Sequence, residues 1–229
     1  MKKYYSIMKS SLPFKDFGTD ELEYVVKKLN LSLSSFPKGA VIFSQGDTVT
    51  HAGVILEGSV IAESVSYSGE RRIIQTHSEG ALFGDVLMSS QSQPTPVSVI
   101  AREDSSVVFL SFESIAENAC DPLCRRVLTN MLHGIADKFW ELNRKIAYLS
   151  CRALRGRIAM FLLDMQKKHQ SSTFHLPYSR EELASVLGVN RTALSRELSR
   201  MQQEEILSFY KSSFKITNAE KLRNCIGGN

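Results

Sequence analysis

Four side chains that can form hydrogen bonds recur on one side of a helical pattern near the carboxyl end of the chain. They are Arg191, Thr192, Ser195 and Arg196. The apolar positions among them follow the spacing i, i+4 and i+7, which is typical of the buried face of an α-helix. The opposite face is then exposed, and its guanidinium and hydroxyl groups can bind base edges and phosphates in a DNA major groove. The apolar positions are Leu194, Leu198 and Met201.

The residues before this helix predict a shorter helix and a tight turn. Ser179 and Glu182 have the Ser-x-x-Glu spacing of a capping box, which marks the start of a helix. Gly188 can adopt positive φ without steric cost and so ends that helix, and Asn190 is a good cap for the next one. Because caps, glycine and arginines fall in register, the pattern favours a DNA-binding helix-turn-helix over an ordinary helical hairpin with a solvated basic face.

The segment from Ser179 to Leu198 resembles the DNA-binding signature of the cyclic-AMP receptor protein and fumarate–nitrate regulator family. Its letters are SREELASVLGVNRTALSREL. The resemblance implies a homodimeric transcription regulator that binds a palindromic operator of double-stranded DNA, with RNA polymerase as a further partner. In the cyclic-AMP branch a Glu follows the first arginine; Thr192 replaces it, so the half-site should differ.

The exposed side chains divide into two predicted roles at DNA. Arg191 and Arg196 are the candidate base readers, because a guanidinium can pair bidentately with guanine. Thr192 and Ser195 can tune specificity. Phosphate contacts instead position a protein on the duplex without reading its sequence. The candidates for phosphate contacts are Ser179, Arg180, Asn190 and Lys211.

Length and charge fit a two-domain protein with one basic domain. The chain has 229 residues, of which 43% are hydrophobic and 23% charged, as in globular proteins. Residues 152–229 carry 13 Lys and Arg against 7 Asp and Glu, whereas residues 1–151 carry 15 against 17. A phosphate-binding domain requires this asymmetry. No apolar run approaches the ~20 residues of a membrane span, so we expect a cytoplasmic protein without a membrane partner.

The cysteines predict neither a metal site nor another resident cofactor. Cys120 and Cys124 are four residues apart, but no further ligands lie near them, so we expect reduced, packed thiols. Some members of the family carry an amino-terminal cysteine cluster for an iron–sulfur centre. Residues 1–119 contain no cysteine, so that sensor is not expected. A redox role of Cys120, Cys124 or Cys151 stays open.

Short strands with glycine-based turns recur at 8–12-residue spacing between Phe36 and Leu110, including a hairpin turn over residues 67–70. This spacing is typical of a small antiparallel β-barrel or jelly roll. The placement of the glycines resembles the cyclic-nucleotide-binding fold of the family. The predicted fold class is therefore α+β. The predicted parts are a sensor β-barrel over residues 1–119, a dimerisation helix over 120–150 and a winged helix-turn-helix over 151–229, with 217–229 as a tail.

The candidate effector pocket departs from the family pattern. In the cyclic-nucleotide branch a Gly-Glu motif holds the ribose, and an Arg followed by Ser or Thr neutralises the cyclic phosphate. Asp85 stands in place of that Glu, and Thr95 and Pro96 stand about where the Arg and the hydroxyl residue are expected. A buried phosphate without a cation is costly, so we do not expect cyclic AMP to bind in the usual manner. The candidate pocket residues are Phe83, Gly84, Asp85, Val86, Leu87 and Thr95.

A heptad pattern occupies the predicted long helix. Its apolar residues alternate at spacings of four and three over three heptads, as in a coiled coil, whereas a helix packed on a core has a broader apolar stripe. We therefore expect a parallel dimer interface, which matches the dimerisation helix of the family. The seam residues are Leu128, Leu132, Ile135, Phe139, Leu142, Ile146 and Leu149.

Alternative functions stay open at this point. The β-barrel could sense an unidentified small molecule through the long helix, serve only as the scaffold of a constitutive regulator, or respond to a cyclic nucleotide. A separate cyclic-nucleotide regulatory module would need an effector domain that this chain lacks. A cupin-like metalloenzyme would need several converging His ligands, and His51, His77 and His133 show no such spacing. We expect no catalytic activity.

Overall fold

The computed structural model describes residues 1–66, 68–90 and 93–226. The chain forms two compact units, residues 1–137 and residues 138–229. The division falls inside one long helix, Pro122–Ser150, which corresponds to the predicted dimerisation helix. No helix among the described residues is long and apolar enough to cross a membrane.

Among the described residues of the first unit, eight short strands form the β-domain. In chain order they are β1 (Ser32–Phe36), β2 (Val41–Phe43), β3 (His51–Glu57), β4 (Ser59–Val65), β5 (Arg71–Ser78), β6 (Leu82–Phe83), β7 (Ser98–Ala101) and β8 (Ser105–Ser111). They pair in two antiparallel sheets with the orders β1-β8-β3-β6 and β2-β7-β4-β5. The predicted antiparallel jelly roll is confirmed; the described strands form two sheets rather than a closed barrel. Tyr67 of the predicted hairpin turn lies outside the described residues.

Strand β3 separates two hydrophobic cores, because successive side chains of a strand point to opposite faces. Ile55 packs with Phe83 and Val107 in the space between the sheets. Val54 belongs to the other core, on the outer face of its sheet. A methyl group on Gly53 would overlap both the Phe83 ring and Val107. The space between the sheets is therefore tightly filled beside β3.

The outer core is covered by short helices. Met8, Leu22 and Ile115 come from three of them and are fully buried together with Val127 of the long helix. Strand β3 is apolar on both faces, and both are buried, one against the other sheet and one against the helices. The helices are α1 (Tyr5–Ser10), α2 (Thr19–Lys28), α3 (Asp85–Ser89) and α4 (Phe112–Glu117), followed by the long helix α5 (Pro122–Ser150).

The second unit is a winged helix-turn-helix, as predicted. Its strands form one antiparallel sheet, and a single core joins Ile158, Leu183, Leu198 and Phe214 from four different elements. In chain order its elements are α6 (Leu154–His169), β9 (Thr173–His175), α7 (Arg180–Val186), α8 (Arg191–Gln203), β10 (Leu207–Tyr210), β11 (Ser213–Ile216) and α9 (Ala219–Asn224).

The predicted tail is wrong over residues 219–224, which form α9. Asn218 caps this helix, because its Oδ1 accepts a hydrogen bond from the Lys221 N–H at 2.9 Å. Leu222 is fully buried in the core of the second unit. A six-residue helix anchored by one leucine gives too short a periodic pattern to be recognised in sequence. Residues 227–229 of the tail lie outside the described residues.

Candidate functional site

The first helix of the motif, α7, begins at the predicted capping box. Ser179 Oγ accepts a hydrogen bond from the Glu182 N–H at 3.2 Å, and Glu182 Oε2 accepts one from the Ser179 N–H at 2.7 Å. The bond from the Ser179 backbone N–H holds the pKa of Glu182 below its usual range. Two of the donors that a helix start leaves unpaired are thereby satisfied.

The turn of the motif is closed by a glycine and by an arginine from another helix. Gly188 has φ of +64°, and a Cβ at this position would lie 2.5 Å from Leu149 Cδ2. Arg157 Nη1 donates to the Leu187 carbonyl at 3.1 Å, and its Nε donates to the Cys151 carbonyl at 2.7 Å. The end of α5 and the turn are therefore in direct contact within the second unit.

Helix α8 presents the predicted polar face. Its cap is Asn190, whose Oδ1 accepts a hydrogen bond from the Ala193 N–H at 2.7 Å. Arg191, Thr192 and Arg196 are exposed, and Ser195 is half-buried. The opposite face is fully buried, so the helix cannot rotate to hide the polar side chains without exposing its apolar ones. That buried face consists of Leu194, Leu198 and Met201.

The wing contributes an exposed tip beside this motif. Lys211 is exposed and has φ of +51°, so the predicted turn between β10 and β11 is left-handed at this residue. Tyr210 is 74% exposed, and sequence reasoning missed it because an isolated tyrosine carries no pattern. Lys211 Nζ lies 5.6 Å from the Tyr210 ring centroid.

Arg180, a predicted phosphate contact, lies against the wing. Its guanidinium is half-buried over Phe209 and Phe214, and Nη2 donates to the Lys211 carbonyl at 2.9 Å. Burial lowers the pKa of Arg180, and the positive charge of Arg191 lowers it further. The phosphate role of Arg180 stays a prediction.

Sequence reasoning also missed an ion-pair network that holds α8 to α6. Arg155 Nε donates to Glu197 Oε1 at 2.6 Å, and its two terminal nitrogens donate to Glu204 at 2.8 and 2.7 Å. The hydrogen bonds to Glu204 and then Glu197 raise the pKa of Arg155. The partners are 42 and 49 residues away in sequence, so no local spacing indicates them. A guanidinium that is hydrogen-bonded to two carboxylates in this way restricts the rotation of α8 about its axis.

The predicted seam on α5 is largely exposed in the single chain. Phe139, Leu142 and Ile146 are 58%, 57% and 53% exposed. Leu132 is exposed as well, whereas Leu128 and Ile135 are half-buried. Tyr148, which lies off the seam, is buried and donates to Asp164 Oδ2 at 2.7 Å. The seam from Phe139 to Leu149 therefore lies on the side of the helix that faces water in the single chain.

The predicted effector pocket begins where β6 runs into α3. Gly84 has φ of +76° and precedes Asp85, which is buried, as is Phe83. Val86 is exposed and Leu87 is half-buried, so these five residues do not share one surface. Among the described residues, no group of three or more His, Cys, Asp or Glu is placed to hold a metal ion.

Thr95 stands about where the family has its phosphate-binding arginine. It is 2% exposed, and its Oγ1 donates to the Val97 carbonyl at 2.9 Å. Its backbone accepts from the Gly46 N–H and donates to the Asp47 carbonyl, each at 2.8 Å. No Lys or Arg occurs between Arg72 and Arg102 in the sequence. This segment therefore does not fit a cyclic phosphate, because it supplies no cation.

Known protein families match both parts of the chain. The cyclic nucleotide-binding domain matches residues 33–118, and the Crp-like helix-turn-helix domain matches residues 156–225. Transcriptional activator protein FnrA of Stutzerimonas stutzeri is 27% identical over 91% of this chain and 84% of its own length. The cyclic AMP receptor protein of Thermus thermophilus is 24% identical over 96% of this chain and 99% of its own length. The chain belongs to the cyclic-AMP receptor protein and fumarate–nitrate regulator family.

Membership in this family agrees with the fold. The crystal structure of the Thermus thermophilus catabolite activator protein matches with a TM-score of 0.54 and 23% identity, over 94% of this chain and 98% of that one. Relatives from Stutzerimonas stutzeri, Pseudomonas protegens and Pseudomonas aeruginosa are named as transcriptional activator proteins. The chain is accordingly a transcription regulator with a nucleotide-binding-like domain and a DNA-binding helix-turn-helix.

The residues of the candidate effector pocket predict that cyclic nucleotides do not bind. Calorimetry with cyclic AMP or cyclic GMP should detect no binding tighter than about the millimolar range, because Thr95 and Pro96 leave the phosphate without a cation. Binding of the same preparation to DNA would show that the protein is folded. A micromolar dissociation constant for either nucleotide would contradict the prediction and favour a cyclic-nucleotide-responsive regulator.

Proposed function

We propose that the chain is a homodimeric, sequence-specific transcription regulator whose amino-terminal unit senses a small molecule and repositions the helix-turn-helix. The observation that carries the DNA-binding part is the two-faced helix α8. Its apolar face is buried in the core of the second unit, and its polar face is exposed. Helices of this kind enter the major groove with their first turns against base edges.

On this proposal the exposed side chains of α8 read the bases, and residues around it contact phosphates. Arg191 and Arg196 read guanine bidentately, and Thr192 and Ser195 adjust the preference. Ser179 and Asn190 lie at the two helix starts, where backbone N–H groups also favour a phosphate. Lys211 on the wing tip adds a cation for the flanking backbone.

A dimer is supported by the exposed seam of α5. Leucine, isoleucine and phenylalanine side chains each contribute roughly 1.5–3 kcal/mol when they move from water to a buried site. A second copy offers the same row of side chains, and heptad spacing keeps both rows facing each other along the helix. Two-fold symmetry then places two α8 helices on successive major grooves, and the operator is an imperfect palindrome.

The contact between α5 and the motif supports a route for signalling. Leu149 is both the last seam residue and the side chain that lies over Gly188 in the turn. A change in helix pairing at the seam therefore moves a side chain that touches the turn. The effector is a small molecule other than a cyclic nucleotide bound in the usual manner, and RNA polymerase is the further partner. A constitutive regulator with a ligand-free β-domain is the alternative.

Base reading is tested by comparing two arginines of α8. Arg196→Ala should cost about 1–3 kcal/mol of binding free energy on the selected site and flatten the preference at one base position in each half-site. Arg200→Ala is the control for the loss of a positive charge from the same helix. Because Arg200 forms a 3.7 Å ion pair with Glu197, this variant should leave the base preference unchanged. Binding to a randomised duplex library measures both. If Arg196→Ala weakens every sequence equally and leaves the consensus unchanged, Arg196 holds phosphate.

The dimer is tested by placing charge on the seam. Leu142→Asp together with Ile146→Asp should yield monomers, because pairing would bury unpaired carboxylates. Asn143→Asp together with Ala147→Asp adds the same charge off the seam and should leave a dimer. Sedimentation at micromolar concentration measures the mass of each variant. A seam variant that sediments as a dimer would show that these residues are not the interface.

A further inference from the structure

Three hydrogen bonds tie the wing turn to the start of the motif, two of them to the segment before α7 and one to the first residue of α7. Leu176 N–H donates to the Ser212 carbonyl at 2.8 Å, and Ser212 Oγ donates to the Tyr178 carbonyl at 2.9 Å. The third bond, from Arg180 Nη2 to the Lys211 carbonyl at 2.9 Å, is the one that reaches the residue at the tip. Arg180 thereby links the start of the motif to the outermost residue of the wing.

The same guanidinium also packs on the aromatic pair of the wing. Arg180 Cζ lies 5.0 Å from the Phe209 ring centroid and 5.4 Å from that of Phe214. These phenylalanines are directly opposite each other on β10 and β11, with ring centroids 5.8 Å apart. A planar guanidinium can stack on a ring and donate a directed hydrogen bond at once, which an ammonium group cannot do in the same geometry.

The residue that Arg180 holds has an unfavourable backbone conformation. Lys211 adopts the left-handed region at φ +51°, which is unfavourable for a residue with a Cβ. Such a conformation persists where surrounding contacts over-determine it. With its carbonyl fixed by Arg180, Lys211 and its neighbour Tyr210 project into solvent from a defined position.

We propose that Arg180 is a positioning residue, which holds the wing tip so that Lys211 and Tyr210 meet the DNA backbone in register with α8. This inference rests on the proposed function, because it concerns the same interface. It assigns Arg180 a role through the wing in place of its own phosphate contact. A lysine at position 180 distinguishes the two roles. A phosphate contact needs only positive charge, whereas holding the wing tip needs the planar guanidinium.

The first test needs no DNA. Hydrogen exchange of the full-length protein should become faster at the amides of residues 209–213 in Arg180→Ala and in Arg180→Lys, with α8 unchanged. Phe209→Leu removes one stacking face, keeps the charge of Arg180, and should show the same local effect. Arg196→Ala is the control and should leave the wing unaffected. Unchanged exchange at the wing in both Arg180 variants would overturn the proposal.

The second test is a double-mutant cycle in DNA binding. Arg180→Ala and Arg180→Lys should each weaken binding about tenfold, and Lys211→Ala should add little to either, because the tip is already displaced. Lys215→Ala is the matched control and should combine additively with both. Recovery of affinity in Arg180→Lys, with additivity between Arg180→Ala and Lys211→Ala, would identify a phosphate contact and overturn the proposal. If the wild type binds no DNA, the proposed function fails, and the exchange measurement still decides the role of Arg180.

Discussion

The exposed apolar side of α5 is the constraint on which the account depends. A 29-residue helix carries Phe139, Leu142 and Ile146 on one side, and all three are more than half exposed in the single chain. Apolar side chains arranged in a strict heptad row pack best against an identical row. In the proposed dimer, burial of these side chains drives the pairing, and the alternating spacing of four and three residues sets how the two helices align. The proposed dimer would have the two-fold symmetry that a palindromic operator requires.

In the proposed dimer, contacts within the second unit determine which residues face the DNA. The Arg155 fork fixes α8 through Glu197 and Glu204, and Leu149 meets the turn at Gly188. A recognition helix held by buried apolar residues on one side and by ion pairs at its far end has little freedom to rotate. On the proposed signalling route, a shift of α5 therefore moves the helix-turn-helix as a whole.

Local patterns were sufficient to predict the motif, and they were insufficient for the contacts that surround it. The capping box at Ser179, the glycine at 188 and the stripe of α8 are each defined within a few residues, and the structure confirms them. The Arg155 network joins residues more than 40 positions apart, so no spacing encodes it. Arg180 illustrates the same limit. Its positive charge is evident from the sequence, but its packing on two aromatic rings of the wing is not. In the β-domain, the missing cation near Thr95 was visible in sequence, whereas the filling of the space beside Gly53 depends on packing.

The number of chains bound to one operator tests the central claim most directly. Native mass spectrometry would compare a selected palindromic duplex with the same duplex after one half-site has been scrambled. Two chains should bind together on the intact palindrome. Scrambling one half-site should lower the affinity about 100-fold or more, because the linked pair then loses its second contact. A single chain bound with equal affinity to both duplexes would contradict the central claim.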